Sequence, residues 1–282
     1  NVKLMGFKHT GIFPEQSVNW DFMREKIKEE KLNITLAIIL VGNNEASKLY
    51  IKNKEKYCTE VGIKVDKYLL DEDTSEEVLI NLIKDLNEDE KVTGIILQSP
   101  VPDGIDFDKC SGMILPSKDV DGFTKDNVYN LYLNKKSILP CTVKGIIKLL
   151  EYYNIEINGK NVAIIGRGNI VGKPLAMALE NRNATVSLLH SKTKDLKMFT
   201  KDADIVVVAC GIPKLLKKEM IKEGSVVIDV GISRVDGKIV GDIDFDNIKD
   251  IALFVTPNPG GIGPMTIAMI IDNLIEMGEV NE

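Results

Sequence analysis

The chain has 282 residues, 44% of them hydrophobic and 28% charged, with a formal net charge of −6. That is enough apolar material for two cores, and it lacks the surplus of Lys and Arg that a nucleic-acid surface needs. Cys58, Cys110, Cys141 and Cys210 have neither CxxC spacing nor neighbouring histidines, so reduced thiols are expected and no metal site. Apolar runs such as Leu36 to Val41 and Ile205 to Cys210 are too short to cross a bilayer, and no signal-peptide pattern opens the sequence; a cytoplasmic protein is expected.

Short β-rich runs alternate with helical patterns almost throughout, the signature of parallel α/β architecture. The first strand, Thr35 to Val41, leads into a helix containing Ala46 to Tyr57. On its 3.6-residue period, residues 50, 54, 57 and 61 share one face, so Lys54 stands with Tyr50, Tyr57 and Val61 while Lys52 and Lys56 point away. A solvated lysine face is the alternative reading, and the aromatic and apolar company of Lys54 argues against it. After a strand at Val65 to Leu70, Thr74-Ser75-Glu76-Glu77 forms a capping box before Val78, Leu79, Leu82, Ile83 and Leu86. The strand Gly94 to Leu97 then ends in Gln98-Ser99-Pro100-Val101-Pro102, which puts an amide at a strand's carboxyl end, where open α/β sheets bind ligands. In Lys118-Asp119-Val120-Asp121-Gly122-Phe123, either carboxylate could meet a ligand or only close an Asx turn.

A polar stretch, Asn134 to Ser137, precedes Leu139-Pro140-Cys141-Thr142 and a helix carrying Ile146, Ile147, Leu149 and Leu150. The domain boundary is expected there, giving domains of 1–141 and 142–266, with a final helix from 267 free to pack on either. The second domain opens with the strand Asn161 to Ile165, then Gly166-Arg167-Gly168-Asn169-Ile170-Val171-Gly172-Lys173-Pro174 and an apolar helix. Strand, glycine turn and helix N-terminus together offer free N–H groups to a pyrophosphate, although the spacing is GxGxxxG rather than GxGxxG. The next strand, Thr185 to Leu189, ends in His190-Ser191-Lys192-Thr193, where an NAD site would place a carboxylate for the ribose hydroxyls. With none present, Ser191 and Arg167 suit a 2′-phosphate, so NADP is preferred to NAD. His190 reads as a strand-end residue with no catalytic task. Further strands are expected at Ile205 to Ala209, Val226 to Val230 and Leu253 to Val255. The last of these runs into Pro257-Asn258-Pro259-Gly260-Gly261-Ile262-Gly263-Pro264-Met265-Thr266, a shaped loop combining rigid prolines with permissive glycines.

Together these segments resemble the bifunctional methylenetetrahydrofolate dehydrogenase/cyclohydrolase family. The resemblance runs from Thr35 to Thr266 through Tyr50-x-x-x-Lys54, Gly94-Ile95-Ile96-Leu97-Gln98-x-Pro100-x-Pro102, Lys118 to Phe123, Pro140-Cys141-Thr142, Gly166 to Pro174, Ile228-Asp229-Val230-Gly231-Ile232, Gly241-Asp242-Ile243-Asp244 and the closing loop. It departs from the family pattern at Ser99, Thr124, Lys125, Tyr129, Val143 and Asn258, and is weakest over residues 1–30. It implies two α/β domains, a parallel substrate domain and a Rossmann-like NADP-binding domain with the active-site cleft between them, the final helix returning to the first. The implied activity oxidises 5,10-methylenetetrahydrofolate by hydride transfer to NADP and hydrolyses the methenyl product to 10-formyltetrahydrofolate, a one-carbon donor to purine biosynthesis. It also implies a homodimer with no nucleic-acid or membrane partner.

Residue by residue, the resemblance assigns Lys54 to the hydrolysis, with Gln98 orienting it, Tyr50 lining the substrate site and Asp121 accepting hydrogen bonds from the pterin. A lysine serves there only if its ammonium form is disfavoured, and an apolar surround and a cationic substrate both act in that sense. Pro259, Gly260 and Gly261 bring backbone close to the folate, while Thr142, Gly166, Arg167, Gly168, Ile170, Ser191 and Ile232 are the implied cofactor contacts. A dehydrogenase lacking the hydrolytic activity, a quinate/shikimate-type NADP oxidoreductase, and an NADP-binding protein without turnover are the alternatives.

Overall fold

The computed structural model of the chain describes residues 3–4, 23–30 and 32–280. In chain order its elements are β1 (Lys3–Leu4), α1 (23–29), β2 (Thr35–Val41), α2 (Glu45–Glu60), β3 (Lys64–Leu70), α3 (Glu76–Glu88), β4 (Gly94–Leu97), α4 (Phe107–Ser111), α5 (Lys125–Tyr132), α6 (Cys141–Tyr152), β5 (Asn161–Ile165), α7 (Gly172–Glu180), β6 (Thr185–Leu189), α8 (Lys197–Thr200), β7 (Ile205–Val208), β8 (Val226–Asp229), β9 (Ser233–Val235), β10 (Lys238–Val240), α9 (Phe245–Ile248), β11 (Phe254–Val255) and α10 (Ile262–Val280). The chain divides into two compact units, with cuts after Cys141 and after Thr266.

One unit holds the described residues from 23 to 141 and from 267 onward. Its sheet runs in the order β3-β2-β4, all parallel. Every residue of β2 and β4 is buried, which is why both read as continuous apolar runs rather than alternating ones. Ala37, Ile39, Val41, Leu79, Ile83, Ile95 and Leu97 form part of one core between the sheet and α3. The cap of α3 differs from the capping box read at Thr74: Ser75 is the N-cap, and its hydroxyl accepts from Val78 N at 3.3 Å. The final helix α10 packs on this unit. A Cβ on Gly94 would lie 2.6 Å from Leu274 Cδ2 and 2.3 Å from Val120 Cγ2, so only glycine lets strand, helix and the 118–122 segment approach this closely. Asn273 secures the contact by donating to Val120 O at 2.9 Å and Leu139 O at 3.1 Å.

The other unit spans Thr142–Thr266 and includes β1. Its sheet has the order β1-β11-β8-β7-β5-β6, parallel throughout. The chain leaves β5 for β6 on one side and continues to β7 on the other, which makes the β5/β7 boundary the topological switch point. The placement of Lys3–Leu4 corrects the expected first domain of 1–141, because this segment pairs with Phe254–Val255 in the second sheet. A two-residue strand carries no periodicity to announce its partner. A hairpin of β9 and β10 was also not foreseen; it turns through Asp236 and Gly237, at φ 52° and 76°. An Asp-Gly pair with both φ positive matches a two-residue type I′ turn. The other expected strands appear with ends displaced by one residue or none.

Candidate active site

In the first unit, the end of β4 meets the middle of α2. The α2 helix starts on Asn44, whose side chain accepts from Ser47 N at 3.0 Å, and its buried stripe is Ser47, Ile51 and Cys58. Lys54 borders that stripe and is half-buried, whereas Lys52 and Lys56 are exposed. Tyr50, expected on an enclosed face with Lys54, is 49% exposed, whereas Val61 on that face is buried and Tyr57 half-buried. Lys54 Nζ donates to Gln98 Oε1 at 3.0 Å. Gln98 is itself oriented, its Nε2 donating to Ser99 O at 2.8 Å and its backbone N to Ile39 O at 2.9 Å. Ser47 Oγ also donates to Ser99 O, at 3.3 Å, and the Ser99–Pro100 peptide is cis. An ammonium can only donate, so the amide meets it through its oxygen.

The 118–122 segment is fastened beside β4 by Ile95 N donating to Lys118 O at 2.8 Å. Its two carboxylates divide the tasks that the sequence left open. Asp119 is buried and structural: its Oδ2 accepts from Thr124 N at 2.7 Å and Asn127 Nδ2 at 3.0 Å. Asp121 is half-buried and makes no hydrogen bond among the described residues. Loss of water pushes its pKa up, the Lys54 ammonium opposes this, and the Asp119 carboxylate adds to it. Gly122, at φ 69°, cannot be replaced without strain, since a Cβ there would lie 2.6 Å from Ile138 O. The unit therefore gathers Lys54, Gln98 and Asp121, with Tyr50 one helical turn before the lysine. A groove of about 810 Å³ against Lys48, Lys52 and Glu55 of α2 contains none of the three. Lys67 there pairs with Glu55 at 2.6 Å.

In the second unit, a cavity of about 500 Å³ lies at the carboxyl ends of β5, β6 and β7. Gly166, Arg167, Gly168, His190, Ser191 and Thr193 line it. Gly166 sits at φ 120°, where a Cβ would reach within 2.2 Å of Ala209 O, and a Cβ on Gly172 would reach within 2.0 Å of Gly166 O. These two glycines set the tight turn. Gly168 has open space before it, as a backbone that must admit a phosphate requires. The lining includes no carboxylate among the described residues, so Arg167 and the hydroxyls meet an anion without competition. His190 is occupied locally, its Nδ1 accepting from Lys192 N at 3.2 Å. These residues fit a 2′-phosphorylated dinucleotide.

The remaining named positions lie apart from that lining. Ile170 and Ile232 are each 52% exposed. Thr142 Oγ1 and Thr266 Oγ1 are 3.1 Å apart, joining the two ends of the unit. In the closing loop the Asn258–Pro259 peptide is cis, Gly260 has φ 103°, and a Cβ on Gly261 would lie 2.4 Å from Pro257 O. Two of the departures from the family pattern have a structural account: Val143 is buried, and Asn258 Nδ2 donates to Gly231 O. Thr124 stands at the N-cap of α5 but its buried hydroxyl makes no capping bond, so nothing among the described residues explains it.

A parallel α/β unit presenting a lysine, an amide and a carboxylate, joined in one chain to a unit with a glycine turn and an anion-ready cavity, defines a dinucleotide-dependent enzyme. Comparison with known proteins gives the same answer. The tetrahydrofolate dehydrogenase/cyclohydrolase catalytic-domain model matches residues 16–121, and the NAD(P)-binding-domain model of the same family matches residues 140–282. The bifunctional protein FolD of Campylobacter hominis is 50% identical over 262 residues, covering 90% of this chain and 92% of its own. The crystal structure of the bifunctional FolD dehydrogenase/cyclohydrolase from Campylobacter jejuni superposes with a TM-score of 0.96 at 44% identity, over the whole of both chains. The Trypanosoma brucei FolD, crystallised with NADP cofactor and inhibitor, gives 0.88 at 34% identity over 94% of each chain. The chain belongs to the tetrahydrofolate dehydrogenase/cyclohydrolase family. A shikimate 5-dehydrogenase from Thermus thermophilus reaches a TM-score of only 0.52 at 13% identity, covering 88% of this chain and 100% of that one, so it shares the fold alone.

Proposed function

We propose that this chain is an NADP-dependent methylenetetrahydrofolate dehydrogenase and methenyltetrahydrofolate cyclohydrolase. The observation that carries the reading is the Lys54–Gln98 hydrogen bond of 3.0 Å with Asp121 close enough to be charge-coupled to the lysine, in a chain of this family. Bound NADP supplies the hydride acceptor. Gly166, Arg167, Gly168 and Ser191 would hold the dinucleotide, with Thr142, Ile170 and Ile232 completing its contacts. Arg167 and Ser191 would read the 2′-phosphate.

In the catalytic domain Asp121, with no hydrogen-bond partner among the described residues, accepts hydrogen bonds from the pterin, whose ring N–H and amino group form a paired donor edge. Tyr50 lines the substrate site, and the Pro259-Gly260-Gly261 loop offers backbone to the folate. Holding the substrate is most of what the oxidation asks of the protein, because the folate nitrogen stabilises the methenyl cation once the hydride has left. In the hydrolysis, water adds to the methenyl carbon, a carbon–nitrogen bond opens, and a proton has to move. Lys54 Nζ is the group that moves it, kept in place by Gln98 Oε1.

The decisive experiment is a spectrophotometric assay of the purified chain with methylenetetrahydrofolate and NADP. Formation of NADPH followed by decay of the methenyl absorbance is expected, and absence of both overturns the reading. The product serves purine biosynthesis. We assign the enzyme to the cytoplasm as a homodimer, to be checked by fractionation and by light scattering.

A further inference from the structure

Two aspartates near the nucleotide cavity take no part in the chemistry above. Asp229 ends β8 and Asp242 follows Gly241 after β10, and both are buried, at 2% and 0% exposure. Each faces the other's glycine. A Cβ on Gly231 would lie 2.0 Å from the Asp242 carboxyl carbon, and one on Gly241 would lie 1.8 Å from Asp229 Oδ2. The two strand ends thus interlock through side chains that only glycine admits.

The interlock points toward the cavity. Asp242 Oδ2 accepts from Cys210 N at 2.8 Å and from Gly211 N at 2.9 Å, so one oxygen gathers two consecutive backbone donors just after β7. Gly211 is held from its other end too, its carbonyl accepting from Ser233 Oγ at 3.0 Å. Asp229 Oδ1 accepts from Asp242 N at 2.9 Å and so fixes the backbone that carries the second carboxylate. Cys210, within the gathered turn, and Ile212, just after it, line the nucleotide cavity.

Asp242 is an expensive way to stabilise a core. Its Oδ1 is buried and accepts no hydrogen bond among the described residues, and a half-satisfied carboxylate away from water is a cost that an apolar residue would avoid. What an apolar residue cannot do is bind two adjacent N–H groups. We infer that Asp242 is a positioning residue of the nucleotide site, its carboxylate holding the Cys210–Gly211 turn in the shape that receives the dinucleotide. A wall already shaped spares the ordering cost on binding. The inference rests on the reading of this cavity as the NADP site.

The test is a calorimetric titration of NADP into the full chain and its Asp242→Ala, Asp242→Asn and Val162→Ala variants, with the melting temperature of each. Val162 is buried at the start of β5, the end of the strand remote from the cavity, and serves to match the loss of stability. Asp242→Ala should weaken NADP binding by about tenfold, the worth of one charge-assisted hydrogen bond. Asp242→Asn, which keeps an acceptor oxygen, should recover most of it, and Val162→Ala should bind as the parent does. Parent-like affinity in Asp242→Ala, or an equal loss in Val162→Ala, overturns the inference. If Asp242→Ala does not fold, Asp242→Ser, whose hydroxyl is too short to reach both N–H groups, decides: faster amide exchange at Cys210 and Gly211 with weaker binding supports it, and unchanged binding overturns it. Failure of the parent chain to bind NADP would overturn the cofactor reading itself, and the inference with it.

Discussion

Lys54 and Gln98 are joined by a single hydrogen bond of 3.0 Å between residues 44 positions apart, and the amide's other end is already committed to Ser99 O. The lysine is thus held by a group that cannot take its proton. Lys54→Met should abolish methenyl hydrolysis, by about 10²–10⁴-fold as for the loss of a positioned acid/base group, and leave NADP binding intact. Hydrolysis near the parental rate would remove Lys54 from the mechanism.

The cofactor preference can be read from Michaelis constants. With Arg167 and Ser191 both replaced by Ala, the constant for NADP should rise far more than that for NAD. Equal losses with the two dinucleotides would show that neither residue reads the 2′-phosphate.

Asp121 and Asp119 make a natural control pair. Asp121→Ala should weaken folate binding by roughly 1.5–3 kcal/mol, the cost of deleting one partner of a charged hydrogen bond, and leave the melting temperature nearly unchanged. Asp119→Ala should do the reverse, because Thr124 N and Asn127 lose their acceptor. Unaltered folate affinity in Asp121→Ala would sink the assignment.

Asp229 makes stability depend on pH. Burial pushes its carboxyl from 3.8 up to about 6, against the hydrogen bonds it accepts from Asp242 N and Ile243 N. Between those values the folded chain binds more protons at this site than the unfolded one, so its contribution to stability is fully present below the unfolded pKa and is lost as pH rises through 6. The difference amounts to about 3 kcal/mol at 1.36 kcal/mol per pKa unit. Denaturant unfolding of the parent and Asp229→Asn across this window should show a gap that changes with pH. A constant gap would mean that Asp229 titrates at its ordinary value.

The sequence disclosed most where burial is two-sided or a turn needs glycine. The strands β2, β4 and β5 were legible with their bounds because their residues form nearly unbroken apolar runs, and the turn at Gly166 was legible because its glycines cannot be substituted without collision. The family resemblance singles out Asp121, but the residues alone do not tell it from Asp119, since the distinction lies in whether Thr124 N and Asn127 close on one or the other. The surround of Lys54 is only partly legible: the period places Tyr50 beside it, but whether that face meets protein or water depends on tertiary packing. The Asp229–Asp242 interlock was out of reach for the same reason. Both aspartates stand within motifs that match the family, yet nothing local indicates that each lies against the other's glycine.

The pairing of Lys3–Leu4 with Phe254–Val255 has a bearing on how the protein is made. During synthesis β1 leaves the ribosome with its partner still untranslated, and residues 23–141 of the catalytic unit emerge between them. The nucleotide-binding sheet therefore cannot close its outer edge until β11 has followed, and β11 without β1 is an unpaired strand margin of the kind that recruits other chains. A fragment cut to 142–266 would carry that open margin permanently, so aggregation of such a fragment would reflect the missing strand rather than a defect of its core.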